Sequence, residues 1–71
     1  MNKNMLDFAV FCIENVAEHL KLCGSEIYRL LTEESEILDD YILSQYEILH
    51  TQGKDYIVND IVGYMKEKRV I

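Results

Sequence analysis

An amphipathic pattern near the amino terminus limits what this chain can fold into more than any other feature. Apolar side chains recur there at i, i+3, i+4 and i+7, the spacing of one face of an α-helix. These residues are Leu6, Ala9, Val10, Ile13, Val16, Ala17 and Leu20, and Glu14, Asn15, Glu18 and Lys21 lie opposite them. The pattern predicts a first helix capped by Asn4, with Asp7 in the first turn, where the helix dipole favours an anion.

The amino-terminal half of this predicted helix carries a second apolar face, formed by Met5, Phe8, Phe11 and Cys12. A surface helix in a small domain needs only one apolar stripe. Either another helix of the same chain or a partner must therefore cover the second face. Because large exposed apolar patches are uncommon on soluble monomers, we predict that these residues form an interface. The partner would be another protein or a second copy of the chain, giving a dimer.

The rest of the chain repeats the helical periodicity in shorter segments, and it contains no proline and only three glycines. Gly24 is predicted to end or turn the chain and Ser25 to cap a second helix. Ser35 would cap a third helix, and the last helix would run from about Gln52 to Lys68. Few turn residues leave little means of separating many short strands. We predict an all-α fold, a compact bundle of four to five short helices in one domain, residues 1–71.

Charge and cysteine content narrow the function classes. The net charge of −6 works against nucleic acid as a partner, because binding to phosphates depends on Lys and Arg. One continuous helix would separate Cys12 from Cys23 by roughly 16 Å, too far for a disulfide, so both are expected as free thiols of a cytoplasmic protein. We expect no leader peptide, because the sequence does not open with a basic-then-apolar segment, and no apolar run is long enough to cross a bilayer. We expect no membrane contact.

The polar segment between the apolar runs Tyr46–Leu49 and Tyr56–Val58 is interpreted as a hinge. Thr51 is predicted to cap the final helix, and Gly53 to relieve crowding between two backbones. His50 would be a general base or ligand under a catalytic interpretation. No serine, cysteine or acid stands in a recognisable relation to it, so we favour a structural histidine. We predict no catalytic residue, no cofactor and no enzymatic activity.

A metal site is the first alternative for the polar residues. His19 and Cys23 would face the same way on a continuous helix, as two metal ligands should, and Cys12 and His50 could complete a tetrahedral set. Gly24 argues against the continuous helix, and the chain has no CxxC or HxxxH pair to anchor such a site.

A helix-turn-helix is the second alternative. "VAEHLKLCGSEIYRLLTEE" has a helix at Val16–Leu20, a turn with Gly24, and a second helix at Ser25–Glu34. Ser25, Glu26 and Arg29 would then point into the major groove of DNA. Because Glu26, Glu33 and Glu34 oppose Arg29 alone, the local charge of −2 should repel phosphates.

The segments "FAVFCIENVAEHLKLCGSEIYRLL" and "YEILHTQGKDYIVNDIVGYMK" resemble a bacterial family catalogued as domain of unknown function 3791. Matching features are Phe8, Phe11, Glu14, Gly24-Ser25-Glu26-x-Tyr28, Leu49-His50-Thr51-Gln52-Gly53, Tyr56, Ile57, Asp60 and Ile61; Val16 departs from an aromatic position. The resemblance implies a stand-alone cytosolic helical protein. Because family members are often encoded beside a larger protein resembling ADP-ribosyltransferases, it also implies an antitoxin-like or accessory partner of such a protein. Our leading hypothesis is a non-enzymatic helical protein-interaction module.

Overall fold

The computed structural model describes residues 1–71 and contains helices and connecting turns without a strand. The elements are α1 (Lys3–Leu20), α2 (Gly24–Thr32), a π-helical segment (Leu38–Leu43), α3 (Tyr46–Leu49) and α4 (Lys54–Glu67). The prediction of an all-α bundle of four to five helices is confirmed. The first helix packs against both α2 and α4, so it is the element around which the others are arranged.

The first helix begins one residue before the predicted cap. Asn2, in an extended conformation, accepts a hydrogen bond from the backbone amide of Met5 at 2.8 Å, the usual geometry of a capping side chain. The prediction that Asn4 caps the helix is therefore wrong. Asp7 lies one turn further along and pairs with Lys3 at 2.9 Å. At the other end, Lys21 takes the left-handed conformation, with φ of 60°, and its amide bonds the carbonyl of Ala17.

The buried face of α1 agrees with the predicted one only at Ala9, Val16 and Ala17. Phe8, Ala9, Cys12, Val16 and Ala17 are buried, whereas Leu6 and Val10 are 52% and 44% exposed. The row Phe8–Cys12–Val16, with residues four positions apart, faces the interior. Since α1 is apolar on two faces, periodicity alone could not decide which face the other helices cover. The chain covers much of the face that we had assigned to a partner.

The second helix starts without a side-chain cap. Its N-cap residue is Cys23, and the Ser25 hydroxyl donates to the sulfur of Cys23 at 3.7 Å rather than capping the helix. Ser35 forms two hydrogen bonds in the connection that follows α2: its Oγ donates to the carbonyl of Leu30 and accepts from the amide of Ile37. The predictions that Ser25 and Ser35 cap helices are therefore wrong: the N-cap of the π-helical segment is Ile37, and Ser35 instead bridges the end of α2 and the start of that segment.

The hydrophobic core is one cluster of 17 buried apolar residues, and no polar or charged residue is buried. All five elements contribute to it. The inner side of the last helix follows the apolar periodicity of its sequence: Ile57, Val58, Ile61, Val62 and Met65 are buried, and Tyr64 packs against the core. The helices are too short or too polar for any of them to traverse a lipid bilayer.

A tyrosine pair joins the π-helical segment to α4. The rings of Tyr41 and Tyr64 stack with centroids 4.2 Å apart, and the Tyr41 hydroxyl donates to the Asp60 carboxylate. That hydrogen bond, followed by burial, raises the pKa of Tyr41 from its ordinary value of 10.0 to about 12. The contact is therefore complete at neutral pH and is lost when the hydroxyl ionises.

Replacing Tyr41 by phenylalanine is expected to lower the free energy of unfolding by about 1 kcal/mol at pH 7. Because the folded-state pKa lies above the unfolded one, the stabilisation is present below about pH 10 and is lost as pH rises towards about 12. The difference between variant and wild type should therefore shrink from pH 7 to pH 11 in urea unfolding. Tyr28→Phe, at a 52% exposed position, is the matched control and should cost little at either pH. A constant Tyr41→Phe deficit would contradict this account.

Candidate interaction surface

A row of aromatic rings lies where α1, α3 and α4 meet. Phe8 and Phe11 stack with centroids 6.3 Å apart, and Phe8 meets the ring of Tyr46 edge-on at 5.4 Å. Tyr46 in turn stacks on His50 at 4.4 Å. Ile57 of α4 lines the same depression. We call this depression the aromatic groove, defined by Phe8, Phe11, Tyr46, His50 and Ile57.

The aromatic groove is apolar at its base and polar at its rim. Its volume is about 350 Å³, and Asn4, Asp7 and Gln52 complete its lining. Sites for small molecules range from about 300 to 1,000 Å³ and enclose most of the ligand. This groove is near the lower limit and is open to solvent, so its form suits apolar side chains presented by another protein.

The four residues predicted to form an interface separate into two groups. Phe8 and Cys12 are buried within the protomer, at 8% and 0% exposure, so a partner cannot rest on them without rearranging the core. Burial also raises the pKa of the Cys12 thiol to about 12. Met5 is half-buried, and Phe11 is 38% exposed. Of the predicted set, Phe11 and part of Met5 remain available, and the interface itself stays a prediction.

The apolar surface that the prediction missed lies on the other side of α1. Leu6, Val10, Glu14 and Glu18 form a single row with steps of four residues, and Asp7 lies beside its amino-terminal end. We call these five residues the outward face of α1. Phe11 adjoins this face, because it stands four residues after Asp7 and three before Glu14. The sequence could have revealed this face only if the inner side of α1 had been known.

The hinge residues form the turn between α3 and α4, with details that differ from the prediction. Thr51 Oγ1 donates to the carbonyl of Ile48 at 2.7 Å, and the N-cap of α4 is Gly53, without a side-chain hydrogen bond. Thr51 is therefore not the cap. Apart from the neighbouring residues of the chain, no atom lies within 4 Å of where a Cβ on Gly53 would stand, so the predicted crowding is absent. His50 contacts the Tyr46 carbonyl through Nδ1 at 2.7 Å and covers the Tyr46 ring.

The structure does not bring the candidate metal ligands together. His19 borders a polar cleft between α1 and α4 that Lys21 and Lys54 also line, whereas His50 lies in the aromatic groove. Cys23 is exposed at the start of α2, where the Ser25 hydroxyl lowers the pKa of its thiol. No group of three or more histidine, cysteine or acidic side chains is arranged to hold a metal ion.

The helix-turn-helix-like pair is present as two helices joined by residues 21–23. Its turn differs from the prediction, because the left-handed residue is Lys21 and Gly24 already belongs to α2. Arg29 is the one basic residue of α2, and its guanidinium pairs with Glu26 and, at 3.0 Å, with Glu34. A phosphate would have to displace both carboxylates. The guanidinium of Arg29 is therefore already engaged by carboxylates of the same chain.

The fold and these surfaces define a class: a small all-α bundle with one polar-rimmed aromatic groove and an exposed apolar-acidic helix face. The chain belongs to the family described as "Protein of unknown function (DUF3791)", whose match covers residues 7–68. The resemblance noted from the sequence is thereby confirmed. The matched region includes every residue that defines the aromatic groove. No curated protein and no solved structure matches the chain.

Proposed function

We propose that this protein is a non-enzymatic interaction module that binds another protein, or a second copy of itself, through the aromatic groove. The observation that carries the proposal is the partial solvent exposure of Phe11, whose ring lies at the edge of the row formed with Phe8 and Tyr46. Aromatic side chains are enriched at the centres of protein interfaces, where they bury a large area in fixed geometries. A partner side chain entering the groove would bury the exposed part of Phe11.

The surroundings of His50 support the non-enzymatic part of the proposal. Its Nδ1 meets a backbone carbonyl, and its ring is stacked on Tyr46. A general base is usually oriented by a carboxylate or set beside a nucleophile, and the contacts of His50 include neither. The histidine thus contributes a flat ring to the groove.

The family resemblance suggests which partner to examine first. Because family members are often encoded beside a larger ADP-ribosyltransferase-like protein, we propose that the cytoplasmic partner is such a neighbour. The present chain would act as its antitoxin-like or accessory subunit. The acidic balance of the chain, 13 acidic against 7 basic residues, also favours a protein partner over nucleic acid.

Co-purification of the chain with the product of the neighbouring gene, together with sedimentation analysis of the chain alone, tests this function. We expect a stable complex, and we expect Phe11→Ala to weaken it by about 30-fold, the effect of removing a central aromatic contact. Tyr56→Ala is the matched control, because Tyr56 is 57% exposed and lies outside the groove. Both variants should keep the helical circular dichroism of the wild type. A chain that stays monomeric and also retains no neighbouring gene product, or binding that Phe11→Ala leaves unchanged, would refute the groove as the docking site.

A further inference from the structure

We propose that the partner presents a basic amphipathic helix, which lies along α1 with an apolar side chain over Phe11 and Lys or Arg side chains opposite Glu14 and Glu18. This inference rests on the proposed function and names the partner's chemistry for the same site. It follows from three properties of α1: its exposed apolar residues, its unpaired acids and its net charge.

The apolar part of the contact is continuous along the helix. Leu6 and Val10 are 52% and 44% exposed and are one turn apart, and Phe11 is adjacent to Val10 at 38% exposure. The outward face of α1 therefore meets the aromatic groove at Phe11. A partner helix that covers this strip would bury side chains at i and i+4, the spacing with which amphipathic helices are recognised in grooves.

The acidic part of the contact is only partly neutralised by the chain itself, since Glu14 forms no ion pair and Glu18 forms none although it borders the cleft that Lys21 and Lys54 line. Asp7 is paired with Lys3, and Glu26 and Glu34 are paired with Arg29. Glu14 and Glu18, which continue the row of Leu6 and Val10, belong to none of the three ion pairs of the protein. Basic side chains on a partner would complement both carboxylates at the edge of the apolar strip, where charge pairs help to select the partner.

The negative charge of α1 makes a second copy of the chain a weaker binding partner for this face than a basic helix. The helix contains Lys3 against Asp7, Glu14 and Glu18, so its net charge is +1 − 3 = −2. A two-fold dimer through this face would set two helices of charge −2 against each other. Like charges across an interface disfavour association and act against the wrong partner. A basic helix meets the same apolar strip without this repulsion.

Two synthetic helical peptides test the inference with the full chain. Each is about 18 residues long, carries leucine and phenylalanine at i, i+4 spacing, and differs only in having lysine or glutamate on its flanks. We expect the lysine peptide to bind at least about tenfold more tightly, with a difference that shrinks as salt is added. Its binding should shift the backbone amide resonances of α1 around Val10, Phe11 and Glu14.

Charge-reversal variants locate the attraction. Glu14→Lys/Glu18→Lys should weaken binding of the lysine peptide by about tenfold and strengthen binding of the glutamate peptide. Asp39→Lys/Asp40→Lys changes the net charge equally at exposed positions of the π-helical segment and should leave both affinities nearly unchanged. Equal effects of the two double variants would show attraction by net charge alone, and equal affinity of the two peptides would also overturn the inference.

The outcomes separate this inference from the proposed function. If the chain instead forms a dimer through Phe11, or holds its natural partner in a complex that Glu14→Lys/Glu18→Lys does not alter, the interaction function stands and the basic helix is wrong. If the chain is a monomer that binds neither peptide and retains no neighbouring gene product, the interaction function itself fails.

Discussion

Replacing Ile61 by alanine is expected to lower the free energy of unfolding by about 3 kcal/mol. Ile61 is fully buried in α4 and belongs to the single core cluster. Its loss removes apolar contacts and leaves a cavity that the surrounding helices can close only in part. A chain of this length has a total stability of about 4–10 kcal/mol. One truncation should therefore remove a large fraction of it, which urea denaturation would detect as a lower midpoint with a similar slope.

Ile48→Ala provides the matched control, because it deletes the same atoms from a side chain that is 64% exposed. We expect this variant to change stability by no more than about 0.5 kcal/mol. Both variants replace isoleucine by alanine in a helix, so the difference in helix propensity between the two residues, less than about 1 kcal/mol, cancels in the comparison. Equal losses in the two variants would show that Ile61 does not occupy the core as described.

The sequence was sufficient for those parts of the fold in which only one packing solution exists. In α4, Ile57, Ile61 and Met65 recur at steps of four residues, and charged or polar residues occupy much of the other side. The inner side of that helix could therefore be predicted. In α1 the apolar residues occupy two faces, and the choice between Leu6–Val10 and Phe8–Cys12 depends on where α2 and α4 pack. That information lies in the tertiary arrangement.

The predictions of the helix-capping residues were wrong for a different reason. Asn2 rather than Asn4 caps α1, and Gly53 rather than Thr51 precedes α4. Neighbouring residues of similar capping ability compete, and the direction in which the chain enters each helix decides between them. The π-helical segment Leu38–Leu43 was missed because its wider turns produce no distinct pattern over so few residues.

The aromatic groove could be predicted only in pieces. Phe8 and Phe11 were recognised as an unusual second face, and His50 as a residue of a turn, but nothing in the periodicity placed them together. Tyr46 connects the two, since its ring meets Phe8 on one side and His50 on the other. Contacts between residues so distant in sequence depend on where the tertiary fold places Tyr46 relative to Phe8. The sequence thus identified individual residues of the aromatic groove, but it did not show that they lie together.

Phe8→Glu is expected to cost at least about 4 kcal/mol and to leave little folded protein at pH 7. Phe8 is 8% exposed and lies between the rings of Phe11 and Tyr46, so a glutamate there would lose its hydration without gaining a cation. Such burial raises the pKa of a carboxyl group above its ordinary value of about 4.3. The deficit should therefore be largest above the raised pKa and should diminish as pH falls and the group becomes neutral.

Phe11→Glu should destabilise the protein far less. Phe11 is 38% exposed, so the carboxylate of a glutamate at this position would reach water. We expect a loss of no more than about 1 kcal/mol, with little change between pH 7 and pH 4, together with loss of partner binding at the aromatic groove. Thermal unfolding monitored by circular dichroism at both pH values, followed by co-purification, measures both effects. Comparable stability of the two variants would contradict the orientation of α1, since that orientation makes Phe8 part of the core and leaves the ring of Phe11 partly exposed.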